Sequence, residues 1–481
     1  MIPLIGFAPD LPPTTPGALL DCENVVPTLR GFRAAHQLTP ADFPAIADEV
    51  RGAVSVLRLD NQRRFFVGTP DALYEGVSDS WLDRSRSGGY SGGAENRWRF
   101  AQFGNATLAT NTADPIQVST SAEFEDIPGA PAARIITVAS GFVMAFATTH
   151  QDNGDNPDMW WCSALYNHMD WTPDIATQCA NGRLIDTPGE IRAGKALGAH
   201  VVAYKASSMY LGQYVGPPII WSWQQVPGEI GALSQESVVD IDTAHVFIGL
   251  DDFWIYDGSR PVSIGAPVRE WFFKTAHPSY LHRTLGYFDR FAGIVYWYFA
   301  SNQSTGELDS CVCYNVKTQR WGKVTRSIQA PVEYIASGVT YDELGDLYDT
   351  YDDIASISYD SPEWFAGGEQ AAVFGTDGQL YLLGAGGMPC SMTLWEVGDD
   401  SQYTTLSRVR ARFISAPDSG GLQAYYRAVQ GGPLSVGPTA TYQDGKFDLL
   451  WSARWHRVRL NFAGQAEVAA VNFELVPDGT R

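Results

Sequence analysis

One local pattern recurs along this chain and limits what it can fold into. An apolar run meets a short turn of Gly, Asp, Ser or Thr, and an aromatic-rich run follows. Copies are RRFFVGTPDALYEG at 63–76, FGNATLATNTADPIQV at 103–118, HVVAYKASSMYLG at 200–212, HVFIGLDDFWIYDGS at 245–259 and AAVFGTDGQLYLLG at 371–384. A longer copy spans 289–321, and another runs from Ile135 to Trp171 around the polar loop QDNGDNPD. Each is a hairpin signal, two period-2 strands about residues that tolerate tight turns. With Phe66, Thr107, Ala145, Val202, Phe247, Val295 and Val373 as markers, the intervals are 41, 38, 57, 45, 48 and 78 residues. Propeller blades repeat at roughly 40–50 residues. A hairpin cannot bury both faces alone, so the copies must pack face to face. The spacing predicts an all-β chain whose main part is an irregular β-propeller of about six or seven blades. The 57- and 78-residue intervals hold insertions. A sandwich of unrelated hairpins is the competing arrangement.

Composition agrees with an all-β reading. The chain has 481 residues, 45% of them hydrophobic, with 47 Gly and 28 Pro, and only 18% charged. Such a chain has a real core and many turns. Its net charge is −21. That balance argues against general nucleic-acid binding, which needs cations to displace phosphate counterions, and against binding to anionic membranes. The six cysteines contain no C-x-x-C and are too few for a disulfide framework, so they read as buried free thiols. The opening MIPLIGFAPDLPPTTPG has five prolines and no cationic stretch, unlike a signal peptide. The most apolar run, 135–149, is too short and polar to span a bilayer. The expectation is a soluble chain made in the cytoplasm, with no membrane anchor.

Three regions are expected. Residues 1–45 form an extended Pro-rich arm and the first strands, 46–404 the propeller, and 405–481 a C-terminal β-domain, either a small sandwich or a sheet completing the propeller rim. An acidic insert, TYDELGDLYDTYDDIASISYDSPEWFAGG, occupies 340–368; Leu344, Leu347, Tyr348 and Tyr351 fall at helical spacing within it. Six of its residues between Asp342 and Asp353 are acidic. Residues 405–481 carry nine Arg or Lys against six Asp or Glu, leaving −24 for the remainder. Arg outnumbers Lys 27 to six over the chain. Guanidinium forks suit fixed interfaces, and codon bias gives the same skew.

The chemical motifs are near misses. GYSGG at 89–93 fits a nucleophile elbow in letters, but it lies in a Gly/Ser loop rather than between a strand and a helix, so Ser91 is expected to be inert. GEIRAGK at 189–195 has P-loop spacing, yet residue 196 is Ala and the Mg²⁺-binding hydroxyl is missing. Asp152, Asp155 and Asp158 offer oxygens on a turning loop, the weak Ca²⁺ candidates of this chain, against the plainer reading of a solvated loop tip. No catalytic residues and no cofactor are expected. The alternators LSRVRARFISA at 406–416 and WHRVRLNFA at 455–463 place Arg408, Arg410 and Arg412, and Arg457 and Arg459, on single strand faces. A solvated sheet, an acidic protein partner or DNA phosphate would each suit them.

The opening MIPLIGFAPDLPPTTPGALLDCENVVPTLRGFRA, with Asn24, Pro27 and Gly31, resembles the start of tail-nozzle proteins of short-tailed bacteriophages, also called tail-hub or packaged-DNA-stabilisation proteins. The Tyr-Asp-Asp insert and the closing Arg-alternating strands resemble that family as well. The resemblance implies a structural virion protein that forms a hexamer below the portal and its adaptor ring. Such a ring closes the DNA-filled head, holds tail fibres or tailspikes and a tail needle or tip, and conducts double-stranded DNA at ejection without reading its sequence. The implied location is the virion tail. Within a hexamer, the Arg faces are expected to meet Asp346, Asp349, Asp352 and Asp353 of a neighbouring copy. The runner-up is a propeller-type glycan-binding or glycan-cleaving phage protein, suited by Trp-rich strands but lacking an assignable carboxylate pair.

Overall fold

The computed structural model describes residues 1–77, 79–335 and 369–478. The acidic insert, with Asp346, Asp349, Asp352 and Asp353, lies outside the described residues. Strands dominate; the described helices are the short α-helix Arg269–Thr275 and the 3₁₀ turn Pro278–Arg283. The fold is an irregular β-propeller with a C-terminal β-sandwich. Its repeat is an antiparallel four-strand meander. Five meanders are separate four-stranded sheets, a sixth sheet adds His36–Pro40 to the three consecutive strands Ala330–Ile335, Glu369–Phe374 and Leu380–Gly387, and a further meander, from Leu285–Asp289 to Arg320–Ile328, begins a larger sheet.

All seven sequence markers fall on the second strand of a meander: Arg63–Gly68, Ala106–Thr110, Phe142–His150, His200–Tyr204, His245–Ile248, Ile294–Phe299 and Glu369–Phe374. The reason is burial. Ala106–Thr110, His245–Ile248 and Ile294–Phe299 are buried at every residue. A strand covered on both faces reads as a continuous apolar run. The fourth strands Ser80–Asp83, Glu125–Asp126 and Val262–Ser263 are mostly exposed and carry no such signal.

Two compact units divide the chain otherwise than at residues 45 and 404. One comprises Met1–Leu38, Pro128–Ile328 and Gly384–Arg481, the other Thr39–Ile127 and Gln329–Leu383. In the second unit, Phe43, Phe65, Phe374 and Leu380 form one core, and Phe66, Trp98 and Phe124 another. Arg64 Nε donates to Glu75 Oε1 at 2.5 Å, and Arg84 Nε donates to Oε2 at 2.7 Å. Burial alone would raise the Glu75 carboxyl, but these two guanidinium ions hold it below its usual value.

In the first unit the expected sandwich forms, but residues 405–481 do not close it alone. One sheet pairs Thr404–Ser415 with Lys446–Ala453 and Glu467–Pro477, and continues through Phe32–Ala34 and Val25–Pro27 into the Arg320–Ile328 strand. The other runs from Gly6–Phe7 and Ala18–Glu23 through Cys390–Leu394 to Trp455–Ala463, Ser419–Arg427 and Ser435–Thr441. Leu406, Val409, Val458, Leu460 and Val468 share a core with Leu4, Phe7 and Leu19. The N-terminal arm is therefore part of the sandwich rather than a free extension. Asp10 fastens it further, accepting the N–H groups of Glu270 at 2.7 Å and Trp271 at 3.0 Å.

Asn24, Pro27 and Gly31 build the turn between blade and sandwich. Asn24 has φ 55°, a conformation that Asn tolerates better than most residues. Its Nδ2 donates to Pro389 O at 3.0 Å, and its Oδ1 accepts Thr325 N–H at 3.0 Å. At Gly31 a Cβ would stand 2.4 Å from Val468 O, so only glycine lets the two strands meet. Gly31→Ala is expected to cost about 1–3 kcal/mol and to lower the thermal midpoint. Gly92→Ala, with no atom nearer than 3.7 Å, should leave it unchanged.

Burial also keeps two histidines neutral. His245 Nδ1 lies 2.7 Å from Tyr204 Oη and its Nε2 2.8 Å from Ala196 O, joining two adjacent meanders. Its pKa falls to about 4. His36, buried beside Arg33, also falls to about 4. The unfolded chain takes up these protons near pH 6.5, the folded chain only near pH 4. The contribution to stability is therefore full above about pH 6.5 and is lost as pH falls towards 4. Thermal melting should be flat from pH 7 to 8 and drop between about pH 6.5 and 5, a window above most carboxylate titrations.

Candidate functional site

The Arg-bearing strands were the expected site, and strand alternation places their side chains. On Thr404–Ser415, Leu406, Val409 and Ala411 point into the core. A register shift between Leu406 and Arg408 then sends Arg408, Arg410 and Arg412 outwards. This face is largely neutralised from within. Arg408 pairs with Asp448 and, at 3.5 Å, with Glu474. Arg410 Nε donates to Glu474 Oε1 at 2.6 Å. Lys446 Nζ stands 3.3 Å from Asp448. Arg412 is exposed and has no ion-pair partner among the described residues.

Arg457 and Arg459 face outwards from the other sheet. The two inner faces meet at Phe413 and Phe462, with ring centroids 5.4 Å apart, so the two Arg stripes lie on opposite sides of the sandwich. They do not make one surface. Arg457 Nη2 donates to Glu396 Oε1 at 2.6 Å, and Arg427 Nη2 reaches the same oxygen at 2.5 Å. The Glu396 side chain is 1% exposed. Its backbone N–H donates to Pro13 O at 2.7 Å, so the N-terminal arm passes over this buried triad. Arg459 Nη2 donates to Ser391 Oγ at 2.8 Å and lies 3.3 Å from Glu23.

The carboxylates Glu23, Glu396, Asp448 and Glu474 were missed from sequence. Their partners lie across strands, and sequence alone does not fix register. Arg408 opposite both Asp448 and Glu474 becomes visible only once three strands are aligned.

The remaining candidates disperse. Asp158 is held by Arg183 at 2.8 and 2.9 Å, Asp155 accepts Thr149 Oγ1–H at 3.0 Å, and Asp152 sits on the exposed turn. They do not converge, and no cluster of three or more His, Cys, Asp or Glu fit for a metal occurs among the described residues. Ser91 lies in an exposed loop, its N–H donating to Asp114 Oδ2 at 2.8 Å. GEIRAGK leads into the strand Ala193–Leu197, whereas a phosphate loop opens a helix. All six cysteines are buried and free, and burial pushes the Cys162 and Cys179 thiols up to about 12. No described helix is long and apolar enough to cross a membrane.

No protein-family model and no curated protein matches the chain. Solved structures similar to it include YCF48 bound to D1 peptide, at 13% identity and TM-score 0.37, covering 72% of this chain and 94% of that one. Another is the extracellular domain of the one-component system BT4673 from B. thetaiotaomicron, at 9% identity and TM-score 0.41. That match covers 85% of this chain and 46% of the other, less than half its length. A third is the WD40 domain of Neurospora crassa Pan2, at 7% identity and TM-score 0.35, covering 70% and 89%. At these values the likeness says nothing of activity or partners.

The ion pairs differ in what their loss should do. Glu396→Gln leaves two buried guanidinium ions without a counter-charge and is expected to cost about 3–5 kcal/mol. Glu474→Gln breaks half-exposed pairs and should cost about 0–1 kcal/mol. Chemical denaturation of both variants checks the contrast.

Proposed function

We propose that this chain is a structural virion protein of a short-tailed bacteriophage, a tail nozzle or hub that closes the filled head and conducts DNA at ejection. One observation carries the reading furthest. Asn24, Pro27 and Gly31, the residues on which the family resemblance rests, form the turn that joins a propeller blade to the C-terminal sandwich. The opening of the chain is thus part of the fold's framework. The pairing of the two chain ends suits a ring under DNA pressure. Ile2 and Pro3 pair with Val471 and Ala470, and Phe32 pairs with Val468, so neither end can peel away alone.

In this reading the chain assembles as a closed hexamer of roughly 316 kDa, six times 52.6 kDa. Its partners are the portal-adaptor ring, tail fibres or tailspikes, and a tail needle or tip. A net charge of −21 suits passage of DNA, because few phosphate contacts mean weak non-specific binding. The role requires no catalysis, from Ser91 or elsewhere.

Purified particles test the proposal. The chain should be present at six copies per particle, and gold-labelled antibody should decorate the tail. Ser91→Ala should leave infectivity unchanged, and host surface glycan should release no reducing ends on incubation with the protein. Absence from particles overturns the virion reading; release of reducing ends favours a glycan-cleaving role.

A further inference from the structure

Two surfaces of the first compact unit have opposite character. The first belongs to an uncharacteristically acidic stretch. Residues 135–182 contain five Asp and no Lys or Arg. Within them the loop after Cys162 is tightly organised. Buried Trp171 donates its Nε1–H to His168 O at 2.9 Å, Leu165 N–H donates to Thr177 O at 3.0 Å, and Asp174 N–H donates to Cys179 O at 3.0 Å. Held on this frame, Tyr166 is 77% exposed and Ile175 is 60% exposed. Asp170 and Asp174 accompany them, each accepting only local backbone N–H groups and neither in an ion pair among the described residues. A rigid loop that shows apolar side chains and carboxylates loses little entropy on binding.

The second surface is the outer face of the sheet Glu467–Pro477, Thr404–Ser415 and Lys446–Ala453. It bears four cations, Arg408, Arg410, Arg412 and Lys446, against three carboxylates, Asp448, Glu474 and Asp478, the last accepting Thr405 Oγ1–H at 3.0 Å. Arg412 is unpaired among the described residues, and Leu450, on the same face, is 78% exposed. An excess of positive charge beside an exposed leucine is the complement of the acidic loop with its exposed tyrosine and isoleucine.

We infer that the acidic loop 164–178 of one copy docks on the cationic outer face of the Thr404–Ser415 sheet of a second copy, head to tail. This rests on the ring reading above and replaces the acidic insert as the partner of the Arg face. A head-to-tail contact uses two different surfaces, so repetition leaves every copy equivalent and closes a ring when the rotation permits. The charges steer and orient the encounter, and Ile175, Tyr166 and Leu450 supply apolar burial.

Two populations of the full-length protein test it, one carrying Ile175→Cys and the other Leu450→Cys. The native thiols are all buried. Under mild oxidation the mixture should form disulfide-linked dimers, and either population alone should form almost none. Arg412→Glu and Asp174→Arg should each weaken self-association, measured by sedimentation, by about tenfold, and mixing the two variants should recover much of it. No cross-link in the mixture, or equal cross-linking within each single population, overturns the inference. Particles that contain the chain as a ring and still show no cross-link sink this pairing alone. A chain missing from particles sinks the ring reading instead.

Discussion

The fold of the first unit depends on strands from the two ends of the chain lying in the same sheets. Glu467–Pro477 pairs with Ile2–Pro3 and Phe32–Ala34 on one edge and with Thr404–Ser415 on the other. Without that alignment, Leu4 and Phe7 would lose their cover, and the turn at Asn24 would have nothing to join. A separate C-terminal sandwich of about 77 residues would bury a smaller share of its surface than a larger unit does. Borrowing strands from the N-terminal segment and continuing into a blade enlarges the shared core.

The same arrangement controls the electrostatics. Each sheet of the sandwich has an apolar inner face and a polar outer face. Arg residues at alternate positions are therefore directed outwards, to opposite sides of the sandwich. Whether such a residue is a free cation depends on its neighbours across the strands. Arg457 and Arg427 converge on one buried carboxylate and serve the framework, with Glu396 also tied through its backbone to the N-terminal arm. Arg412 has no such neighbour among the described residues and is left for solvent or a partner. One sequence pattern thus yields two physical roles, separated by burial and register.

Blade identity is carried by a different kind of residue. The buried second strands are apolar almost throughout, and the turns that follow them close by short backbone bonds, as in Thr69 N–H to Ala72 O at 2.9 Å, Lys205 N–H to Ser208 O at 2.8 Å and Gly249 N–H to Asp252 O at 2.8 Å. Polar groups stitch neighbouring strands where apolar packing would not specify a geometry. His245 and the Arg64–Glu75–Arg84 cluster do this in separate units. Both are buried, so their protonation state is part of the fold.

Fold class and repeat were legible in the local pattern of residues. Seven hairpin signals fell on seven meanders because a strand buried on both faces must be apolar, and that requirement is local. The burial of the six cysteines was legible for a similar reason. The outer strands, the strand-borrowing across the chain and the partners of Arg408, Arg410, Arg457 and Arg459 were decided only by tertiary structure. Exposed strands tolerate many residue types, and short strands such as Val25–Pro27 give too few positions to show a period. An ion pair such as Arg459 with Glu23 spans most of the chain, so its existence depends on register between segments that no local pattern relates.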